Sequence, residues 1–294
     1  MDFLTELGTR TLVLDGAMGT QLMAAGYRSV ECPEEWNVSR PEVVSDIHRA
    51  YLRAGADIIE TNTFGGNGAK LGAYHAAGRV EELNLAAARL AKAVRDEVDA
   101  GALVAGDISS SGKMLKPLGD TDPHELRDVF AEQAEALVKG GVDLLLIETM
   151  FDLEEARAAV LGARAVSRSL PIVATMAFKQ SPRGYRTMMG VSPAQAAEAL
   201  LEAGANVVGA NCEITAEDMV GIVPEFRAAT DAPLAVQPNA GQPRLSEGHT
   251  VYGETPERFA SFMPAIVAGG AGLVGGCCGT TPAHIAALVA EVRG

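Results

Sequence analysis

The chain has 294 residues, 48% of them hydrophobic, which is enough for one large domain with an ample core. Its formal net charge of −14 argues against nucleic acid and anionic membrane surfaces as partners, because like charges repel. No apolar run reaches the length of a membrane span and the N-terminal segment carries acids, so the sequence predicts a soluble, cytoplasmic protein without a signal peptide.

Short apolar runs alternate with amphipathic stretches along the chain. The runs are rich in Val, Ile and Leu, which is typical of strands that are covered on both faces. They predict strands at 11–15, 56–61, 102–107, 142–148, 171–178, 205–212, 233–239 and 272–277. The amphipathic stretches predict helices at 41–53, 79–98, 122–139, 152–168, 192–203, 216–229, 255–268 and 281–293. Three of these helices begin with a capping residue followed by Pro, at 122–123, 192–193 and 281–282.

The order of these elements predicts the fold class. Eight strand–helix units with glycine at several of the tight returns indicate an α/β protein that forms a single (β/α)8 TIM barrel. An open doubly wound sheet is the alternative, but such sheets usually contain fewer strands. No linker or low-complexity segment divides the chain, so residues 1–294 are expected to form one domain.

Three of the four cysteines fall at the predicted carboxyl ends of strands, where TIM barrels place their chemistry. Cys212 ends the sixth strand, and Cys277 and Cys278 end the eighth. Successive residues on a strand face opposite ways, but the glycines around the Cys-Cys pair permit an irregular backbone that turns both thiols to one side. A role as small buried hydrophobes, which suits Cys32, and a vicinal disulfide are the less favoured alternatives.

The chemistry of three thiolates points to a metal. Soft sulfur ligands select zinc, and three protein ligands leave a fourth position open, as in catalytic sites. A substrate thiol bound there is held as a thiolate near neutral pH, where a free thiol is mostly protonated. Because three thiolates already make the complex negative, the site favours alkylation of sulfur over hydrolysis.

Several motifs carry a resemblance that runs along most of the chain. They are DGAMGTQL at 15–22, AGADIIETNTFG at 54–65, GKMLKPLG at 112–119, IET at 147–149, GANC at 209–212, QPNAG at 237–241 and GGCCGTTP at 275–282. On these motifs the chain resembles the homocysteine S-methyltransferase family, especially the homocysteine-binding module of cobalamin-dependent methionine synthases. It departs from that module at 108–112 and 213–215.

The resemblance implies a set of site residues. It implies zinc on Cys212, Cys277 and Cys278, with Asn239 occupying the open position until the sulfur of homocysteine arrives. It also implies that Asp15 and Glu148 hold the substrate ammonium, and that the Gly16-Ala17 backbone lies near the carboxylate. Thr149 belongs with these substrate-binding residues by the same resemblance.

The resemblance leaves the methyl donor open. A separate corrinoid protein that carries methylcobalamin is the favoured donor, and a small donor such as S-methylmethionine is the alternative. Betaine is disfavoured, because a quaternary ammonium prefers an aromatic cage and only 5% of the residues are aromatic. Another thiol acceptor, or a non-catalytic zinc- or thiol-binding subunit of a corrinoid complex, are the competing functions.

Overall fold

The structure is a computed structural model that describes residues 2–28, 30–246 and 249–294. Eight parallel strands form one sheet, in the order β1-β8-β7-β6-β5-β4-β3-β2. In chain order they are β1 (Leu12–Val13), β2 (Ile58–Glu60), β3 (Leu103–Ser109), β4 (Leu144–Met150), β5 (Ile172–Met176), β6 (Val207–Thr215), β7 (Leu234–Asn239) and β8 (Ala271–Val274).

The sheet closes on itself between β1 and β2. Leu14, directly after β1, forms a parallel bridge with Ile58 of β2, and the Asp15 N–H donates to the Ile58 carbonyl at 3.0 Å. On its other side β1 pairs with β8, with Leu12 opposite Leu273. The single (β/α)8 TIM barrel expected from the sequence is therefore confirmed.

Helices surround the barrel at Pro41–Arg53, Val80–Val98, Pro123–Gly140, Leu153–Val166, Pro193–Ala203, Ala216–Arg227, Pro256–Ser261, Met263–Ala268 and Pro282–Arg293. The predicted helix at 255–268 is divided at Phe262, because Pro264 has no N–H to continue the helical hydrogen bonds. Within the described residues, none of these helices is both long and apolar enough to cross a membrane.

Short elements fill the connections between strands and helices, and none of them was predicted. They are the helices Phe3–Leu7, Met18–Ala24, Trp36–Ser39 and Gly68–Gly72, the 3-10 turns Pro33–Glu35 and Ala77–Arg79, and two hairpins, Lys179–Ser181 with Gly184–Arg186 and Arg244–Ser246 with His249–Val251. Each is too short to show a hydrophobic period.

The barrel interior changes from apolar to polar along its axis. The helix Phe3–Leu7 contributes Phe3 and Leu7 to a buried cluster that contains inward-facing strand residues such as Leu103 and Leu144. Inward-facing positions recur every second residue along a strand. At the carboxyl ends of the strands, the residues at these inward-facing positions are polar.

Candidate metal and substrate site

A layer of polar side chains, here called the polar layer, lies at the carboxyl ends of the barrel strands. Side chains two residues apart on a strand point to the same face, so the polar layer continues the inward-facing rows of the apolar cluster. Asp107 lies two residues after Ala105 of that cluster, and Glu148 lies two residues after Leu146. The layer consists of Glu60, Asp107, Glu148, Thr175, Asn211 and Gln237. Three members of the layer are acidic, and Asp15 adds a fourth acid at the same end of the barrel. The layer is therefore rich in hydrogen-bond acceptors.

Cys212 lies in a bulge of β6. Asn211 pairs with Gln237 of β7, but the next pair is Thr215 with Asn239, so four residues on β6 correspond to two on β7. The bulge is made by Cys212 and Glu213, which both have a φ of 58°, in the left-handed region that non-glycine residues seldom adopt. The predicted strand at 205–212 thus continues to Thr215, and the bulge sets the direction of the thiol.

Cys277 and Cys278 lie in the loop that follows β8. The strand ends at Val274, three residues earlier than predicted, so strand alternation does not apply to the cysteine pair. After the pair, Gly279 has a φ of 83°, and a Cβ there would lie 2.3 Å from the ring of Tyr252. Only glycine fits this turn, which brings the Cys277-Cys278 loop against Tyr252.

The three thiols meet at one point above the barrel. The Sγ atoms of Cys212, Cys277 and Cys278 all lie within 4.8 Å of one another, and those of Cys212 and Cys278 are 3.8 Å apart. Hydrogen bonds from the thiols of Cys212 and Cys277 lower the pKa of Cys278 to about 3. The trio can hold a metal ion, and its sulfur donors suit a soft ion such as zinc.

Asn211 links the thiols to the polar layer. Its Nδ2 donates to Glu148 Oε2 and to Thr149 Oγ1, each at 2.7 Å, and lies 3.9 Å from Cys277 Sγ. Its Oδ1 accepts from the Thr149 N–H and from Thr175 Oγ1, each at 2.8 Å. The side chain is fully buried, so one amide fixes β4, β5 and β6 relative to one another.

Asn239, at the end of β7, is only 3% exposed, and its Oδ1 has no hydrogen-bond partner among the described residues. It lines a cavity of about 500 Å³ together with Cys212 and Tyr252. A buried acceptor without a donor costs free energy unless a ligand satisfies it. Asn239 therefore fits the expectation of a metal ligand beside the trio.

The two acids expected at the substrate ammonium are both buried. Asp15 Oδ2 accepts from the Glu60 N–H at 3.1 Å, while its Oδ1 has no partner in the described part of the chain. Burial raises the pKa of Asp15 well above its usual range, and the nearby charge of Glu148 adds to this. Burial also raises the pKa of Glu148 to about 8, with a further contribution from Cys278. Both carboxyls hold protons readily when no cation is near.

The other expected substrate residues lie around the same opening. Gly16 and Ala17 line a second cavity, but the Ala17 N–H already donates to Thr280 Oγ1 at 3.0 Å. A substrate carboxylate that contacts the Ala17 N–H must share this donor with the Thr280 hydroxyl. Thr149 has a φ of 55° and is held by Asn211 through both its N–H and its hydroxyl. Thr149 thus supports Asn211, and it does not line either cavity described here.

The second cavity, also of about 500 Å³, joins buried carboxyls to two of the thiols. Its wall includes the carboxyls of Glu148 and Asp107, the thiols of Cys277 and Cys278, and Gly16. An amino acid that carries a thiol could therefore reach the carboxyls with its ammonium and the trio with its sulfur. The sequence motifs had placed these groups on one rim. The structure brings Glu148, Cys277 and Cys278 to this cavity, whereas Cys212 and Asn239 line the other cavity.

Four residues with clear contacts in the site were not singled out from the sequence. They are Asn211, Asp107, Thr280 and Tyr252. Counting two residues on from the apolar positions of β3 would have found Asp107. Thr280 and Tyr252 act through loop packing across the barrel, for which the sequence holds no local signal.

Comparisons with known proteins agree with this site. The sequence profile described as homocysteine S-methyltransferase matches residues 12–292. The methionine synthases of Mycobacterium tuberculosis and Mycobacterium leprae are each 37% identical over 99% of this chain, which spans only 26% and 25% of their lengths. The homocysteine methyltransferase MmuM of Escherichia coli, in its metallated form, is 26% identical, covers 99% of this chain with its whole length and superposes with a TM-score of 0.81.

A TIM barrel that gathers three thiols and buried carboxyls at one opening has the arrangement of a barrel enzyme whose site can hold a metal ion. The profile match spans nearly all of the chain. The chain belongs to the homocysteine S-methyltransferase family. The family and the enzyme class expected from the sequence motifs are thereby confirmed.

Proposed function

We propose that this enzyme methylates the thiol of homocysteine to form methionine, with zinc held by Cys212, Cys277 and Cys278. The observation that carries the proposal is the convergence of these three Sγ atoms within 4.8 Å, beside a cavity that also reaches Glu148. When bound, zinc would supply a Lewis acid that keeps the substrate thiol deprotonated near neutral pH.

Asn239 is suited to occupy the fourth position before the substrate arrives. Its Oδ1 is a buried acceptor without a partner, and it lines the same cavity as Cys212. An amide oxygen would be a neutral and weak ligand for a soft ion, so Asn239 would hold zinc without excluding a thiolate substrate.

Asp15 and Glu148 would bind the substrate ammonium. An ammonium brings three N–H donors and a positive charge, which complement the free Oδ1 of Asp15 and the carboxyl of Glu148. Because burial favours their protonated forms, the two acids would lose protons as the ammonium takes their place. The backbone at Gly16 and Ala17 would face the substrate carboxylate.

The methyl group would come from methylcobalamin on a separate corrinoid protein. Loops beyond the carboxyl ends of β3, β5 and β7 expose apolar side chains, with Leu118 63%, Met188 76% and Leu245 81% exposed. Exposed apolar groups around an active-site opening favour a protein partner. The much greater length of the methionine synthases supports a donor carried on another protein or module.

A small donor such as S-methylmethionine is the second candidate. The homocysteine methyltransferase MmuM is matched over the whole of its chain, and a barrel of that length alone is compatible with a donor that needs no additional protein module. Tyr27, Phe64 and Tyr74 also line the second cavity, and aromatic faces attract small cations. The same protein could use this donor on homocysteine or on a related thiol acceptor.

One experiment tests the proposal and separates the donors. Zinc is quantified in the wild type and in Cys212→Ala, and homocysteine methylation is assayed with methylcobalamin and with S-methylmethionine. We expect about one zinc per chain in the wild type and loss of both metal and turnover in the variant, because two thiolates replace three poorly. Cys32→Ala, at a buried cysteine outside the trio, is the control and should keep both.

Turnover that persists in Cys212→Ala, or in protein stripped of metal, would contradict the proposal. Activity with S-methylmethionine but not with methylcobalamin would favour the small donor. Zinc binding without methylation of homocysteine by either donor would favour another acceptor or a non-catalytic role.

A further inference from the structure

Two loops meet above the barrel and carry the two halves of the proposed site. The loop after β1 contains Asp15, Gly16 and Ala17, where the amino-acid end of the substrate would bind. The loop after β8 contains Cys277 and Cys278, where its sulfur would bind. The length of substrate that fits between them depends on how firmly these loops are held together.

The hydroxyl of Thr280 joins the two loops directly. Thr280 is fully buried, and its Oγ1 accepts from the Ala17 N–H at 3.0 Å. The same hydroxyl donates to the carbonyl of Cys277 at 2.7 Å. One oxygen atom therefore connects the backbone beside the proposed carboxylate site to the backbone of a proposed zinc ligand.

Other hydrogen bonds hold the same two loops on either side of this hydroxyl. The Gly279 N–H donates to Thr20 Oγ1 and the Gly276 N–H to the Asp15 carbonyl, each at 3.0 Å. The hydroxyl of Tyr51 lies 3.2 Å from the carbonyl of Ala17 and 3.4 Å from that of Thr280. The loops thus share several bonds of similar length, and the bond through Thr280 is the one whose side chain also bonds to the backbone of Cys277.

There is no spare room around this hydroxyl. A Cβ at Gly16 would lie 2.7 Å from Thr280 Oγ1, and a Cβ at Gly276 would lie 2.6 Å from it. Contacts this short are sterically forbidden, so the two loops pack onto Thr280 only because both positions are glycine. The two glycines therefore let both loops approach the Thr280 hydroxyl, whose two hydrogen bonds fix their spacing.

We propose that Thr280 is a positioning residue that sets the distance between the amino-acid end and the thiol end of the site, and so selects homocysteine over the thiol amino acid shorter by one methylene, cysteine. This inference rests on the proposed function. It assigns to Thr280 a role in substrate length, which is separate from holding the metal.

The test compares Thr280→Val, which keeps the side-chain shape but removes the hydroxyl, with Thr280→Ser, which keeps the hydroxyl. Dissociation constants for homocysteine and for cysteine are measured by calorimetry on zinc-loaded protein, so no methyl donor is needed. We expect the preference for homocysteine to fall about tenfold in Thr280→Val, as for the loss of a buried hydrogen-bonded pair, and to stay near the wild-type value in Thr280→Ser. Zinc content should be unchanged in both variants.

Two further variants keep the inference testable. Thr281→Val removes the neighbouring hydroxyl, which caps the helix Pro282–Arg293, and should lower stability without changing the preference. If Thr280→Val does not fold, Thr20→Val removes the bond to the Gly279 N–H and should lower the preference in the same direction. A folded Thr280→Val whose preference stays within about twofold of the wild type, or an equal loss in Thr280→Ser, overturns the inference. Failure of the wild type to bind homocysteine would instead count against the proposed function.

Discussion

At the scale of single residues, the site depends on amides and hydroxyls that hold the groups doing the chemistry. Asn211 shows this clearly, because its donors and its acceptor are all used, by Glu148, Thr149 and Thr175. Groups that orient metal ligands usually affect metal affinity strongly, although they do not touch the metal. Because Asn211 precedes Cys212 in the chain, the bonds that fix Asn211 also fix the start of the β6 bulge and thereby the position of the Cys212 thiol.

Asn211→Asp tests this influence with almost no change in shape. The substitution replaces Nδ2 by an oxygen, so the hydrogen bonds to Glu148 and Thr149 lose their donor and two buried carboxyls face each other. We expect zinc affinity, measured by competition with a chelator, to fall about 10–100-fold. Asn206→Asp is the matched control, because the hydrogen bonds that the Asn206 side chain makes within the described ranges all go through Oδ1, which accepts from Arg164 and from the Ile172 N–H. Equal zinc affinity in folded Asn211→Asp and wild type would contradict the role given to Asn211.

At the scale of the elements, the sequence predicted the helices better than the strand ends. The helices begin where a capping residue precedes Pro, as at Asp122 and Ser192, and these signals are local. The ends of β6 and β8 differ from the prediction, because the bulge at Cys212 depends on pairing with β7, and the loop after Val274 depends on packing against Tyr252. Tertiary contacts of this kind leave no pattern in the neighbouring sequence.

The candidate site divides in the same way. The thiols, Asp15 and Glu148 could be placed from motifs and strand ends, because a barrel gathers those ends at one opening. Asp107 could have been found by the period of two. The bond between Ala17 and Thr280 joins residues 263 positions apart in the chain, and only the closed barrel brings them together.

One helix carries a buried group that predicts a pH dependence. His48, in the helix Pro41–Arg53, is fully buried, and its two ring nitrogens have no hydrogen-bond partner among the described residues. Burial lowers its pKa from 6.5 to about 4. Between these two values the unfolded chain binds a proton that the folded protein does not, so stability falls as the pH drops through this range.

His48→Leu should remove that contribution. The free energy of unfolding of the variant minus that of the wild type is expected to grow as the pH falls from 6.5 toward 4, by at most about 3 kcal/mol. The measurement is urea unfolding of metal-free protein at several pH values. His124→Leu, at an exposed position, controls for the loss of an imidazole. Parallel pH profiles for His48→Leu and wild type would show that the buried ring does not titrate as described.

At the scale of the whole molecule, the barrel separates stability from chemistry along its axis. The apolar cluster that contains Phe3, Leu12, Leu103 and Leu144 fills the end where the strands begin. The polar layer and the thiols occupy the other end, where buried acceptors and left-handed residues such as Cys212 cost stability. The free energy gained by packing the apolar end offsets the free energy lost at the polar end.

The helix Phe3–Leu7 tests this division, because it packs into the lower end and lies far from the site in the fold. Phe3 is 3% exposed and belongs to the apolar cluster, whereas its neighbour Leu4 is 39% exposed. Phe3→Ala should lower the free energy of unfolding by about 3 kcal/mol, through lost burial and the cavity left behind. Leu4→Ala should cost less than about 1 kcal/mol. If the two halves are separate, folded Phe3→Ala retains the zinc content and the homocysteine affinity of the wild type. A loss of zinc from Phe3→Ala under native conditions would mean that the lower end also shapes the thiol site.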